Sequence, residues 1–186
     1  MLDHSASTSI VFARHAEKPS DSGKPHGINH DGVPDPHSLS VRGWTRAGAL
    51  ASMFGLLPQA RYPGVNRPAA IYATEPSHQA KSTREFDTAH PTAKALGVTI
   101  NCNYKHGEES ALAEELQTSV QNSFVVWHHG ALPALLGNFS IHNASDIPSK
   151  WPEDRFDLLW VLTRIPGSAS YMWSEVNQSL LDGDVG

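Results

Sequence analysis

Three short apolar runs in this chain lead into side chains suited to anion chemistry. Ile10 to Ala13 passes directly into Arg14 and His15, and Phe124 to Trp127 into His128 and His129. Ala69 to Ala73 is followed, one loop later, by Arg84. If these runs are strands of an open parallel sheet, their carboxyl ends share one edge, which is where such sheets bind ligands. Two arginines and two or three histidines then converge. Two planar guanidinium groups grip a tetrahedral oxyanion bidentately, which lysine does less well. A neutral imidazole held beside the phosphorus of such an anion is a competent nucleophile.

The elements that must position these residues are legible in outline. The three runs, with Phe156 to Leu162, are too short for typical helices, and most are rich in β-branched or aromatic residues. Between the first two, Trp44, Ala47, Ala51 and Phe54 recur at helical spacing, with Ser40 as a candidate cap and Pro58 as a stop. After the second run, Phe86, Ala89, Ala93 and Leu96 predict another helix, ended by Gly97 and bent or split at Pro91. Val98 to Ile100 suggests a further strand, and "GEESALAEELQTSV" a further helix. Strands alternating with helices predict an α/β fold, a three-layer α/β/α sandwich with a mainly parallel central sheet. Pro19 to Ser40, rich in Gly, Pro, Asp and His, reads as a long polar loop beside the first strand's carboxyl end.

The size of the chain, 186 residues, fits one domain, 1–186. A net charge of -5, with 14 basic residues among 19 acidic ones, gives no broad footprint for nucleic acid or an anionic membrane. Any anion must be held locally. Cys102 is the only cysteine, which rules out an internal disulfide and a Cys-based metal cluster. The opening residues read as neither a secretory signal nor a membrane span, so a cytoplasmic location is expected.

At these same residues the chain resembles the histidine phosphatase superfamily, which includes the cofactor-dependent phosphoglycerate mutases and acid phosphatases. The resemblance rests on four ordered motifs: "ARHAEKP", "LSVRGWTRAGALA", "STREFDTA" and "VVWHHG", with the late "FDLLWVL" strand also fitting. It implies a phosphoglycerate mutase-like fold and a metal-independent phosphomonoesterase needing no cofactor. His15 would attack phosphorus and become a phosphohistidine that water hydrolyses. Arg14 and Arg84 would clamp the phosphoryl oxygens, and His128 would stabilise the equatorial oxygens in the transition state. If the register is displaced by one residue, His129 takes that place. The substrate implied is a small phosphorylated molecule or a phosphoprotein.

The leaving alkoxide must also be protonated. Some branches of the family carry an acidic residue after the third motif and others an Asp after the second histidine, where this chain has His129. "YKHGEES" leaves Glu108 as first candidate and Glu109 as second. Two other functions compete. One is a weak or inactive family member that binds a phosphorylated ligand or protein, and the other a metal-dependent hydrolase built on His26, His30, His37, Asp31 and Asp35. Irregular His and Asp in a polar loop seldom make a metal site, so no metal is expected. A mutase is disfavoured by the scarcity of further basic residues. Glu17 reads as a supporting partner for an arginine, Lys18 as a weak substrate contact, Arg42 and Arg46 as surface charge, and Trp44, Trp127 and Trp160 as core.

Overall fold

The computed structural model describes residues 7–22, 24, 26–56, 61–74 and 81–185. In chain order the elements are β1 (Ser9–Ala13), α1 (Val41–Leu56), β2 (Ala70–Ala73), α2 (Arg84–Leu96), β3 (Ile100–Asn101), α3 (Glu109–Thr118), β4 (Ser123–Val126), α4 (Leu132–Leu136), β5 (Leu158–Arg164) and β6 (Tyr171–Asn177), with a 3₁₀ turn at Ala144–Asp146. The fold is mixed α/β, with one six-stranded sheet in the order β3-β2-β4-β1-β5-β6. The pairings of β3 with β2, β2 with β4 and β4 with β1 are parallel. β5 runs antiparallel to β1, and β6 antiparallel to β5.

Successive strand residues face opposite sides of a sheet, and here both sides are covered. Ile10, Phe12, Val125, Trp127, Leu158, Trp160 and Leu162 share a core with residues of α3 and α4. Val11, Ala13, Phe124, Val126, Leu159 and Val161 share another with residues of α1 and α2. That double coverage explains why these strands read as unbroken apolar runs.

Two registers bring the key ends together. Ala13 and Ala73 both pair with Val126, so β1, β2 and β4 finish level at one edge. Because β5 enters in the opposite sense, with Trp160 opposite Phe12, residues just before β5 reach the same edge.

The helices begin and end for local reasons. Gly43 N–H donates to Ser40 Oγ at 3.1 Å, the side-chain cap expected for α1. Pro58, its expected stop, lies outside the described residues. α2 ends on Gly97 at φ 68°, whose N–H bonds the carbonyl of Ala93. Contrary to expectation, Pro91 does not split α2, which is one helix from Arg84 to Leu96. Its lost amide bond is outweighed by tertiary packing, with Thr88, Ala89 and Thr92 all fully buried around it.

Residues 26–40 hold more backbone structure than a bare polar loop. Ile28 bridges both Pro34 and Leu39. Gly27 allows this tight return, since a Cβ there would fall 2.0 Å from the carbonyl oxygen of Asp35. Trp127 and Trp160 are core as expected, while Trp44 is half-buried and donates its indole N–H to Ile28 O at 2.6 Å.

Candidate active site

His15 stands two residues beyond the end of β1 and is 5 % exposed. Its Nδ1 lies 2.7 Å from the carbonyl oxygen of Ala16. A carbonyl only accepts, so Nδ1 carries the proton and Nε2 keeps its lone pair free for attack. Burial, reinforced by the charges of Arg14 and Arg84 and by His129, lowers its pKa to about 3. The imidazole is therefore neutral at physiological pH, the form that acts as a nucleophile.

Arg14 is 4 % exposed. Its guanidinium lies 4.1 Å above the centroid of Phe156 and donates from Nη1 to Glu153 O at 2.5 Å. Nε is buried without a hydrogen-bond partner. Burial lowers the pKa to about 10, opposed by Glu153, Glu17, Glu85 and Asp154, so the group remains charged near neutrality. A buried cation with an unused donor is costly in a resting protein and favourable only when an anion arrives.

Arg84 opens α2 and is half-buried. It donates from Nε to Ser38 O at 3.2 Å and from Nη2 to Pro36 O at 2.7 Å, which pins the end of the 19–40 segment beside the site. Thr83 N–H reinforces the junction by donating to His37 O at 3.0 Å. A cavity of about 500 Å³ opens between Arg84, Lys18 and this segment, with Ser20, Asp21, His26 and Asp35 along its wall. Lys18 is half-exposed and lies 3.6 Å from Asp21.

Of the two histidines after β4, the ring facing His15 is His129, at a centroid distance of 6.3 Å. Burial, with Arg14 and His128 adding to it, lowers its pKa to about 4, and its Nδ1 is buried without a partner. His128 is exposed and packs between His129, at 4.8 Å, and His106, at 4.9 Å. Its pKa is also lowered, by burial and then by His106 and Arg14.

Glu108 is exposed and its carboxylate accepts the amide of Lys105 at 2.8 Å. Glu109 accepts Trp127 Nε1–H at 3.0 Å and Gly107 N–H at 3.0 Å. Although partial burial pushes its carboxyl up, those bonds outweigh it and hold Glu109 below the usual range. Neither carboxylate hydrogen-bonds or ion-pairs with Arg14, His15 or Arg84 among the described residues. Nor does any group of three or more His, Cys, Asp or Glu among them stand where it would hold a metal ion.

The support beneath the site includes residues whose roles the sequence hides. Glu17 does meet an arginine, but Arg46 is no surface charge: its side chain is 3 % exposed and bridges Glu17 at 2.8 Å and Asp184 at 2.6 Å. Withdrawn from water, its guanidinium is met instead by the two carboxylates and by Gln178 Oε1 at 3.0 Å. Arg42, half-exposed, touches the same Glu17 at 3.1 Å. Gly43 lies so close that a Cβ would fall 2.4 Å from Glu17 O. Glu85 was also hidden. It is 5 % exposed on the buried stripe of α2, and burial pushes its carboxyl up. The only sequence signal for it is spacing: Glu85, Thr88, Ala89 and Thr92 form an i, i+3, i+4, i+7 face.

No helix among the described residues is long and apolar enough to cross a membrane. No protein-family model matches the chain, and no curated protein matches its sequence. Among solved structures, a crystal structure described as the "putative phosphohistidine phosphatase SixA from Agrobacterium tumefaciens" is similar at a TM-score of 0.47 and 18% identity, covering 91% of this chain and 96% of that one.

Proposed function

We propose that the chain is a metal-independent phosphomonoesterase working through a phosphohistidine on His15. The observation that carries this reading is a buried, neutral imidazole with a free Nε2, set beside a buried guanidinium that has an unused donor. Arg14 and Arg84 clamp the phosphoryl oxygens. The transition-state role expected of His128 falls to His129, the ring that faces His15, with His128 packed behind it. Each partner does what phosphoryl transfer requires: position the group and neutralise charge as it builds.

The architecture that accompanies this reading is a phosphoglycerate mutase-like, three-layer α/β/α domain with a mainly parallel sheet. Supporting it are the division of α1 and α2 from α3 and α4 between two cores and the parallel run from β3 to β1.

The test is phosphate release from an aryl phosphate, with and without chelator, beside His15→Ala. The expected result is chelator-insensitive turnover, lost by on the order of 10³-fold in His15→Ala. Full turnover in His15→Ala overturns the mechanism. No release from any phosphoester, with phosphate still bound, assigns a binding protein instead.

A further inference from the structure

The cavity of about 500 Å³ that Arg84 borders has the size of a small-molecule site, far more room than a phosphoryl group fills. Its charged walls are Arg84, Lys18, Asp21 and Asp35, with Ser20 and the exposed ring of His26 as further polar groups. Several of these are already engaged by the protein. Asp35 Oδ1 accepts the amide of His37 at 2.8 Å, while its own amide and carbonyl bond Gly27 O and Ser38 N–H. Ser20 Oγ donates to Lys24 O and accepts the Lys24 amide at 3.1 Å.

Lys18 is different. Among the described residues its ammonium meets only Asp21, at 3.6 Å, in a pair whose side chains are 47% and 96% exposed. Such a pair is worth little in water and gives way to a better-placed anion. The backbone beneath it is fixed, because Glu17 O accepts both the amide and the hydroxyl of Ser40 at 3.0 Å. The lysine therefore leaves from a set point three residues beyond His15. Its charge is also felt by His129, the ring that faces His15. Between the two cations the wall is partly Pro19, Pro34 and Pro36, rigid and apolar, and no Phe, Tyr or Trp among the described residues lines it. That lining suits an aliphatic chain and gives an aromatic base little to stack on.

We propose that Lys18 selects phosphomonoesters whose aliphatic leaving group carries a second anion, a carboxylate or a phosphate, seated in this cavity while Arg84 holds the phosphoryl group. The assignment rests on the phosphatase reading. On binding, the second anion displaces Asp21 from Lys18, and Asp21, almost wholly exposed, returns to water. A neutral leaving group gains nothing from the lysine, which stays paired with Asp21. The chain must also span from Arg84 to Lys18, so its length enters the selection.

Phosphate release is measured for ω-carboxyalkyl phosphates of graded length, each beside its neutral primary amide, and for the matching alkanediol bisphosphates. At the best length kcat/KM should favour the acid over its amide by about 5- to 10-fold, mainly through KM. Lys18→Gln should abolish that preference and Lys18→Arg should keep it. Asp21→Asn should raise it, because no carboxylate then competes for the lysine, an effect that a purely structural lysine would not show. Whether acid or bisphosphate is preferred identifies the second anion. An acid-to-amide ratio unchanged in Lys18→Gln, with turnover still lost in His15→Ala, overturns Lys18 as the selector and leaves the phosphatase standing. Turnover undiminished in His15→Ala overturns the nucleophile instead. Should no ester turn over, calorimetric Kd values for acid and amide give the same ratio, and its insensitivity to Lys18→Gln overturns the proposal.

Discussion

The amide of Ala16 donates to the hydroxyl oxygen of Thr88 at 2.8 Å, and Thr88 in turn donates to Arg84 O at 2.7 Å. One fully buried hydroxyl thereby fastens the His15 turn to the helix that carries Arg84. Thr88→Val keeps the volume but leaves the Ala16 amide buried and unpaired, which should cost about 1–3 kcal/mol in denaturant unfolding. Turnover should fall further than that loss explains, because the two arginines proposed to clamp the anion lose their common anchor. Thr88→Ser should restore both, and a variant of wild-type activity would show that the bond does not set the geometry.

His129→Ala should reduce kcat on an aryl phosphate by about 10²-fold or more, and His128→Ala by under about 10-fold. The difference follows from the 6.3 Å approach of the His129 ring to His15, while His128 is exposed behind it. The reverse order of the two losses would return the role to His128.

Gly43→Ala places a methyl group 2.4 Å from Glu17 O, an oxygen that already accepts both the amide and the hydroxyl of Ser40 at 3.0 Å. Backbone cannot yield there without moving the His15 turn. We expect destabilisation of about 1–3 kcal/mol by thermal unfolding, with a fall in kcat greater than the rise in KM. Gly48→Ala, with nothing within 4 Å of the added atom, is the control and should be neutral or slightly stabilising.

Replacing Arg46 by Met leaves Glu17 and Asp184 with only the half-exposed Arg42 between them, at 3.1 and 3.7 Å. Breaking one side of a buried pair typically costs about 3–5 kcal/mol. Urea unfolding should report a loss of that order. The triple change Arg46→Met, Glu17→Gln and Asp184→Asn should recover much of it, because no buried charge is then left unpaired and Arg42 can turn to solvent.

The pH response follows from His15. Its folded pKa of about 3 lies below the ordinary value near 6.5, so between those values the unfolded chain binds a proton that the folded chain does not. The stabilisation is complete above pH 6.5 and is lost as pH falls toward 3, by up to about 1.4 kcal/mol per unit. His129, lowered to about 4, acts with the same sign. Urea midpoints at pH 7, 6, 5 and 4.5 should decline, and more shallowly in His15→Gln; equal slopes would remove His15 as the source.

The parts of the fold legible in sequence are those whose burial is symmetric. β1, β2, β4 and most of β5 are apolar on both faces and announce themselves as continuous runs. β6, "YMWSEVN", lies at the sheet's edge with mixed exposure, and its pattern alone does not mark a strand. α4, with five residues, is too short to show a period. Arg14, His15 and Arg84 were readable because each follows an apolar run or opens a helix, whereas Glu85 and Arg46 were not. Arg46 sits at an ordinary position for helix-surface charge, and only long-range packing, through Glu17 and Asp184, removes it from water; Glu85 shares the buried stripe of α2, where a carboxyl is not expected.

The place of β1 in the sheet has a consequence for biosynthesis. The strand leading into the proposed nucleophile is made before β4 and β5 yet lies between them, hydrogen-bonded on one side to β4 and on the other to β5. The groups that approach Arg14 and His15 come from residues 84, 129 and 153–156, so the candidate site is assembled by contacts of long sequence separation. While the chain is being synthesised, Ile10 to Ala13 remains an unpaired apolar segment until β4 and β5 emerge, and it is during that interval that it needs shielding from other nascent chains.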